Sequence, residues 1–149
     1  MLRRRLRDPG APAHGFSLVE VLVTLLLAAI LLALALPAYR EQVARGRRVV
    51  AEAALIEDAQ SMQRWYASHD TYEGIADAQL AAQTSPREGG AVAYTLSAQA
   101  TPPTQTTWTL VATPVGPMGG DRCGQLTYDA TGRKGVVNGT GTSADACWR

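Results

Sequence analysis

Glu20 is a lone carboxylate at the head of an apolar run, Val21 to Leu36, broken by one hydroxyl, Thr24; no charge occurs between Glu20 and Arg40. The chemistry open to such a group is ion pairing. An ionised carboxylate inside a membrane-spanning helix costs roughly 2.5 to 3.5 kcal/mol, so it needs a partner. A partner on a neighbouring copy would favour association and set an axial stagger, because opposite charges attract strongly at low dielectric. The alternative is a side chain that snorkels to the bilayer edge and does nothing further. Cys123 and Cys147, the only cysteines, are either free thiols or a pair. Arg87, Arg122, Arg133 and Lys134, with Trp148, are of the type that meets nucleic-acid phosphates, although basic groups this widely spaced more often form a solvated surface. Asp121, Asp129 and Asp145 are oxygen donors of the kind calcium takes, but scattered loop carboxylates are usually solvated. Asn138-Gly139-Thr140 fits a glycosylation sequon and equally a turn. No Ser/His/Asp set, phosphate-binding loop or dinucleotide fingerprint occurs. The chain reads as the substrate of an enzyme, with no catalytic residues and no cofactor.

The elements that must position these groups begin with the run itself. Phe16 to Leu36 is 21 residues, which as a helix measures roughly 30 Å, the hydrocarbon thickness of a bilayer. Pro37 follows, yet periodicity resumes beyond it, so a kink is expected there in place of a stop. Leu55, Ala59, Met62 and Tyr66 make one stripe, with Ala51 and Trp65 beside it and polar residues expected on the other side. The spacing predicts helix from about Phe16 to about Ala67. Gly46 is its weak point, since glycine costs about 1 kcal/mol relative to alanine in a helix interior. Pro37 and Gly46 would then bracket a segment able to loosen.

From residue 70 the period changes. A connecting region with a short helical turn near Ile75 to Ala82 leads past Gly89-Gly90 to strands around Tyr94-Ala98 and Thr107-Ala112. Gln125-Tyr128 offers a third strand, Thr131-Gly135 a turn, and Val136-Val137 a fourth. The expected class is α+β: a long amino-terminal helix laid on a small antiparallel sheet. The expected segments are 1–15, 16–37, 38–69 and a head over 70–149.

Charge is segregated. The whole chain carries +1, but residues 1 to 15 hold four Arg and one Asp, leaving ten basic and twelve acidic side chains behind them. That balance argues against bulk attraction to nucleic acid and leaves room for a local patch. The leader differs from an ordinary secretory signal, which is cut after its apolar region; the best downstream site, Ala33-Leu34-Ala35, runs into Leu36-Pro37.

A short basic leader with Arg3, Arg4, Arg5 and Arg7, ending in Gly15 and followed by Phe16-Ser17-Leu18-Val19-Glu20 and the apolar helix, resembles the class III signal of type IV prepilins and pseudopilins. The resemblance implies the type IV pilin fold, cleavage between Gly15 and Phe16 by a membrane prepilin peptidase, and methylation of Phe16 by the same enzyme. It gives Glu20 the terminal amine of a neighbouring subunit as partner. It implies insertion in the bacterial inner membrane with the amino terminus inside and the head in the periplasm, then transfer by an inner-membrane assembly platform into a filament of pilin subunits. An exported head makes a Cys123–Cys147 disulfide the expected state, and the tail from Asp121 to Arg149 looks most like minor pilins of the PilE type. With those cysteines bridged, His14 and His69 cannot complete a zinc site, and no metal is expected. The expected function is a minor pilin of the pilus used in twitching motility and adhesion. The alternatives are a type II secretion pseudopilin, or a pilin that captures DNA through Arg122, Arg133 and Lys134.

Overall fold

The computed structural model of the protein describes residues 15–141 and 143–148. Of the segment expected as a leader, only Gly15 is among them, so Arg3, Arg4, Arg5, Arg7 and His14 lie outside the described residues, as does Arg149. The order of elements is a long helix α1 (Leu18–His69), then β1 (Thr84–Ser85), β2 (Tyr94–Ser97), β3 (Thr109–Pro114), β4 (Gln125–Asp129), β5 (Lys134–Val137) and a final turn of helix α2 (Ala144–Cys147). Two compact units divide the chain, one ending at Ala38 and one starting at Tyr39.

The first unit contains the apolar start of α1. Leu and Ala, both strong helix formers, dominate it. Ser17 accepts the Val21 N–H at the start of the helix, and Glu20 places a negative charge in the first turn, where the helix dipole favours it. The stretch is long and apolar enough to cross a membrane, and none of its most apolar window is buried within the chain.

In the second unit, α1 continues to His69 and packs on a five-stranded sheet of order β1-β2-β3-β4-β5, antiparallel throughout. Leu96, Ala112, Leu126 and Val136 pair across successive strands, which puts one apolar row on the inner face. Ala51, Leu55 and Met62 of α1 join that row in a common core. The rings of Tyr66, Tyr72, Trp108, Tyr128 and Trp148 follow one another through the head at centroid separations of 4.6, 6.3, 6.1 and 6.1 Å. The helix ends where Asp70 takes φ 54 and donates its N–H to Tyr66 O, a left-handed stop, while the His69 ring stacks on Trp65.

The sheet and the connecting turn at Asp77–Gln79 match the expected elements, while three details differ. The helix runs two residues past Ala67, and strand β1 lies before Gly89-Gly90, where two residues leave no period to read. The helix face against the head is also not purely apolar. Its buried residues are Arg48, Ala51, Glu52, Leu55, Asp58, Ser61 and Met62, so four polar side chains expected on the solvent side lie inward. Arg48 and Asp58 are met by groups on the head, Asp121 and the Ala82 amide, and Ser61 by Arg64 of the same helix.

Asp58 is one of these and is 0% exposed. Its Oδ1 accepts the Ala82 N–H at 2.6 Å, tying the connecting region to α1, while Oδ2 has no hydrogen-bond partner among the described residues. Burial, with the nearby Glu57, pushes its carboxyl up to about 6, against the Ala82 and Ala81 amides and Arg87, which pull it down. A carboxyl whose folded pKa lies above the usual value stabilises the fold at low pH and loses that stability as pH rises to about 6. The melting midpoint should therefore rise as pH falls from 7 to about 4.5, relative to an Asp58→Asn variant, by an amount worth about 2 kcal/mol. Parallel pH profiles of the two proteins would refute the assignment.

Candidate functional site: the assembly helix and the disulfide-closed tail

Three features carry the chemistry. The first is the exposed helix surface of the first unit. Phe16 is 80% exposed, and Leu18 to Leu36 present Leu, Val and Ile all around the helix. A helix apolar on every side is one built for lipid or for burial among other helices. Glu20 is the only charged group on it, and no ion pair holds it among the described residues. Gly15 and Phe16 precede the helix, outside any helix or strand.

The second feature is a buried polar node that fastens the tail to α1. Arg48, 2% exposed, lays its guanidinium on Asp121, with Nε to Oδ2 at 2.8 Å and Nη2 to Oδ1, a two-pronged pair. Its Nη1 donates to Glu41 Oε1 at 3.1 Å, and Arg45 and Arg122 donate to the same oxygen at 3.3 and 3.0 Å. Tyr94 donates its hydroxyl to Asp121 Oδ2 at 3.1 Å. Asp121 raises the Arg48 pKa further, burial opposing it, so the guanidinium is permanently charged. Partial burial of Glu41 works against its ionisation, but Arg48, Arg45 and Arg122 prevail and hold its carboxyl below the usual range. Burial and then Asp121 push the Tyr94 phenol up, which keeps it a donor.

The third feature is the tail itself. Cys123 and Cys147 are joined, as expected. The loop between them has a sequence separation of 24, for which the chain-entropy model gives roughly 3 to 4 kcal/mol of stabilisation. Gly124, at φ +63, lets the chain cross itself: a Cβ there would lie 2.5 Å from Val137 O. Trp148 closes the tail by donating Nε1 to Gly135 O at 2.8 Å.

The basic residues proposed from sequence as DNA contacts do not form one cluster of bare cations. Arg122 reaches Glu41; Arg133 donates Nε to Asp129 Oδ2 at 3.1 Å; the Lys134 ammonium lies 5.2 Å from the Trp148 ring. Arg133 is nonetheless 79% exposed in its side chain. Thr131 first, with Arg133, holds Asp129 down to about 2, against a little burial. Asp121 and Asp129, two of the carboxylates considered for calcium, thus already have protein donors. What sequence reasoning missed is Arg48 and Asp121 as a pair. Arg48 sits one turn before the Ala51–Leu55 stripe, which was the only available hint.

The described geometry can be set beside known proteins. Residues 37–127 match the family model for the type IV minor pilin ComP, DNA uptake sequence receptor, and residues 11–36 match the prokaryotic N-terminal methylation motif. The first of these ends before β5, so Arg133, Lys134 and the closing cysteine lie beyond it. Among solved structures, the non-core minor pilin PilV of Neisseria meningitidis is similar at a TM-score of 0.55 and 22% identity, over 69% of this chain and 94% of that one. A type IV pilin from Shewanella oneidensis is similar at 0.42 and 25%, over 70% and 97%. No curated protein matches the sequence.

Proposed function

Because the chain belongs to the type IV minor pilins, the family whose model spans more than half of it, we propose that it is made as a prepilin, cut between Gly15 and Phe16, methylated on Phe16 and built into a pilus. The carrying observation is the helix of the first unit: apolar on every side, exposed within its own chain, charged only at Glu20 and lying in a methylation motif. In this reading residues 1–15 are a leader and 16–37 anchor the subunit in the inner membrane before assembly. Residues 38–69 carry the head of residues 70–149 in the periplasm, where the disulfide forms. Pro37 and Gly46 are the places where α1 can bend during transfer. The partners are a prepilin peptidase that also methylates, the assembly platform, and neighbouring pilins whose terminal amine Glu20 meets. The match to type IV pilins favours the pilus of twitching motility and adhesion over a type II secretion machine. Mass spectrometry of sheared surface filaments tests the proposal: a mature chain starting at methylated Phe16 is expected, and a chain starting elsewhere would refute it.

A second reading is favoured by the family's own description as a DNA uptake sequence receptor. In it the head captures DNA, with Arg133 and Lys134 supplying exposed cations beside Trp148 and Arg122 lying nearer α1. Binding should weaken steeply with added salt, and an Arg133→Ala/Lys134→Ala protein should bind less tightly with a salt slope shallower by about 2. Equal binding and equal slopes would exclude this patch as the site.

A further inference from the structure

Strand β1 is one edge of the sheet, and its free side offers the backbone of a single residue. Leu96 donates its N–H to Gln83 O and Ala93 donates to Ser85 O, so residues 83 and 85 turn their carbonyls into the sheet. Thr84, between them, turns its N–H and C=O out of it. The positions of like direction on either side cannot extend that edge: the Ala82 N–H already donates to Asp58 at 2.6 Å, and Pro86 has no N–H. Between this edge and α1 lie two hollows, of about 320 and 220 Å³, that share Val50 and Ser85 in their walls. The larger lies at the Pro86 end of β1, and the smaller runs back past Thr84 to Ala82.

The larger hollow is walled chiefly by aliphatic side chains, Val43, Val50 and Ala93 among them, and no acidic residue lines it. Its two polar side chains lack partners. Ser85 is 1% exposed, and its Oγ has no hydrogen-bond partner among the described residues, although buried hydroxyls nearly always find one. Arg47 forms no ion pair among them, whereas Arg45, Arg48, Arg87, Arg122 and Arg133 all do. Gly46 borders the same hollow; glycine is a poor residue for mid-helix, and a Cβ on it would meet nothing within 4 Å, so its own chain does not require it.

We propose that the edge at Thr84 and the hollow at Arg47 form a binding site for the carboxy-terminal end of a partner protein, an extended chain whose last side chain is apolar. The outward N–H and C=O of Thr84 pair with the backbone of that chain, as extended peptides join sheet edges elsewhere. An acyl chain has no groups to offer them. The partner runs parallel to β1 over the smaller hollow and stops at the larger one, because the next outward position is Pro86 and pairing cannot continue. Its α-carboxylate accepts from the Arg47 guanidinium and the Ser85 hydroxyl, charge-assisted bonds of the stronger kind. Its last side chain fills the space that Gly46 leaves open between the aliphatic walls.

Fluorescence anisotropy on the full-length protein in neutral-lipid nanodiscs tests this, with amino-terminally labelled hexapeptides ending in valine, leucine or aspartate, each as free acid and as amide. The free acid ending in valine or leucine is expected to bind saturably, at least tenfold tighter than its amide and than the aspartate peptide. Arg47→Glu and Gly46→Leu should each weaken binding at least tenfold and Ser85→Ala at least threefold, while Arg47→Lys should retain most of it. A normal Cys123–Cys147 gel shift and an unchanged melting midpoint show that each variant's head has folded. The inference is overturned if no peptide binds saturably, if acid and amide bind alike, or if binding is indifferent to both Arg47→Glu and Gly46→Leu. An amidated peptide with an internal glutamate that binds as tightly as the free acids would overturn the terminal preference. Decanoate binding more tightly than every peptide, measured by competition, would assign the groove to an acyl carboxylate and overturn the inference as well.

Discussion

Glu20→Ala is expected to lower the amount of this protein in sheared filaments by at least tenfold while leaving its amount in the inner membrane unchanged. The helix around Glu20 is all apolar and exposed, so removing the carboxylate makes membrane residence easier by roughly the 2.5 to 3.5 kcal/mol that a charge costs there. A cell that keeps so unfavourable a group needs it elsewhere. In the proposed filament core, an amine on the neighbour would be left unpaired at low dielectric, and about 1.4 kcal/mol is a factor of ten in incorporation. Glu20→Gln separates charge from size and should fail as well, whereas Glu20→Asp should retain part of the activity. Immunoblots of the sheared and membrane fractions give the result. Normal incorporation of the alanine variant would remove the register role of Glu20.

Asp121→Ala is expected to destabilise the head by up to about 3 to 5 kcal/mol, the usual cost of breaking a buried ion pair, lessened by the Glu41 contact that Arg48 keeps. Arg48 is 2% exposed and Asp121 4% in their side chains, so water cannot replace the lost partner, and the Tyr94 hydroxyl loses its acceptor too. Such a loss is a large part of the 5 to 15 kcal/mol that holds a typical domain together. Arg48→Met should cost a similar amount by stranding Asp121. The double variant Arg48→Met/Asp121→Leu should recover much of the loss, because no buried charge is then left unpaired. Urea unfolding of the detergent-solubilised chain, followed by tryptophan fluorescence, measures all three. Additive effects in the double variant would mean that the two side chains act independently. The pair joins α1 to the residue two before Cys123, so the variants should also slow formation of the disulfide.

Several features were legible in the residues because they are local. The leader motif and the apolar run need no tertiary information: a helix long enough to span and a charge at its head are properties of consecutive residues. Alternation at Tyr94-Ala98 and Gln125-Tyr128 located β2 and β4, and the turn residues Thr131-Gly135 placed the hairpin that β5 completes. The stripe of Ala51, Leu55 and Met62 located the core side of α1. The disulfide was expected from two cysteines in a head that the resemblance places outside the cytoplasm.

The tertiary structure alone decided the rest. Arg48 and Asp121 are separated by 73 positions, and nothing near either residue announces the other. Polar residues on a helix read as solvent-facing because period detects only apolar side chains; Arg48, Glu52, Asp58 and Ser61 nevertheless lie inward, Arg48 against Asp121 and Asp58 against the Ala82 amide, both brought up by the fold. Likewise the basic side chains, read from sequence as candidate DNA contacts too widely spaced for a clear patch, are engaged separately by Glu41, Asp129 and Trp148. Period, length and turn chemistry place a long amino-terminal helix and the strands of a small sheet, and the motif from Gly15 to Glu20 adds the resemblance to pilins. Which charges are buried, paired or left for a neighbour depended on contacts between distant segments, whose energies arise only when folding removes water from between them.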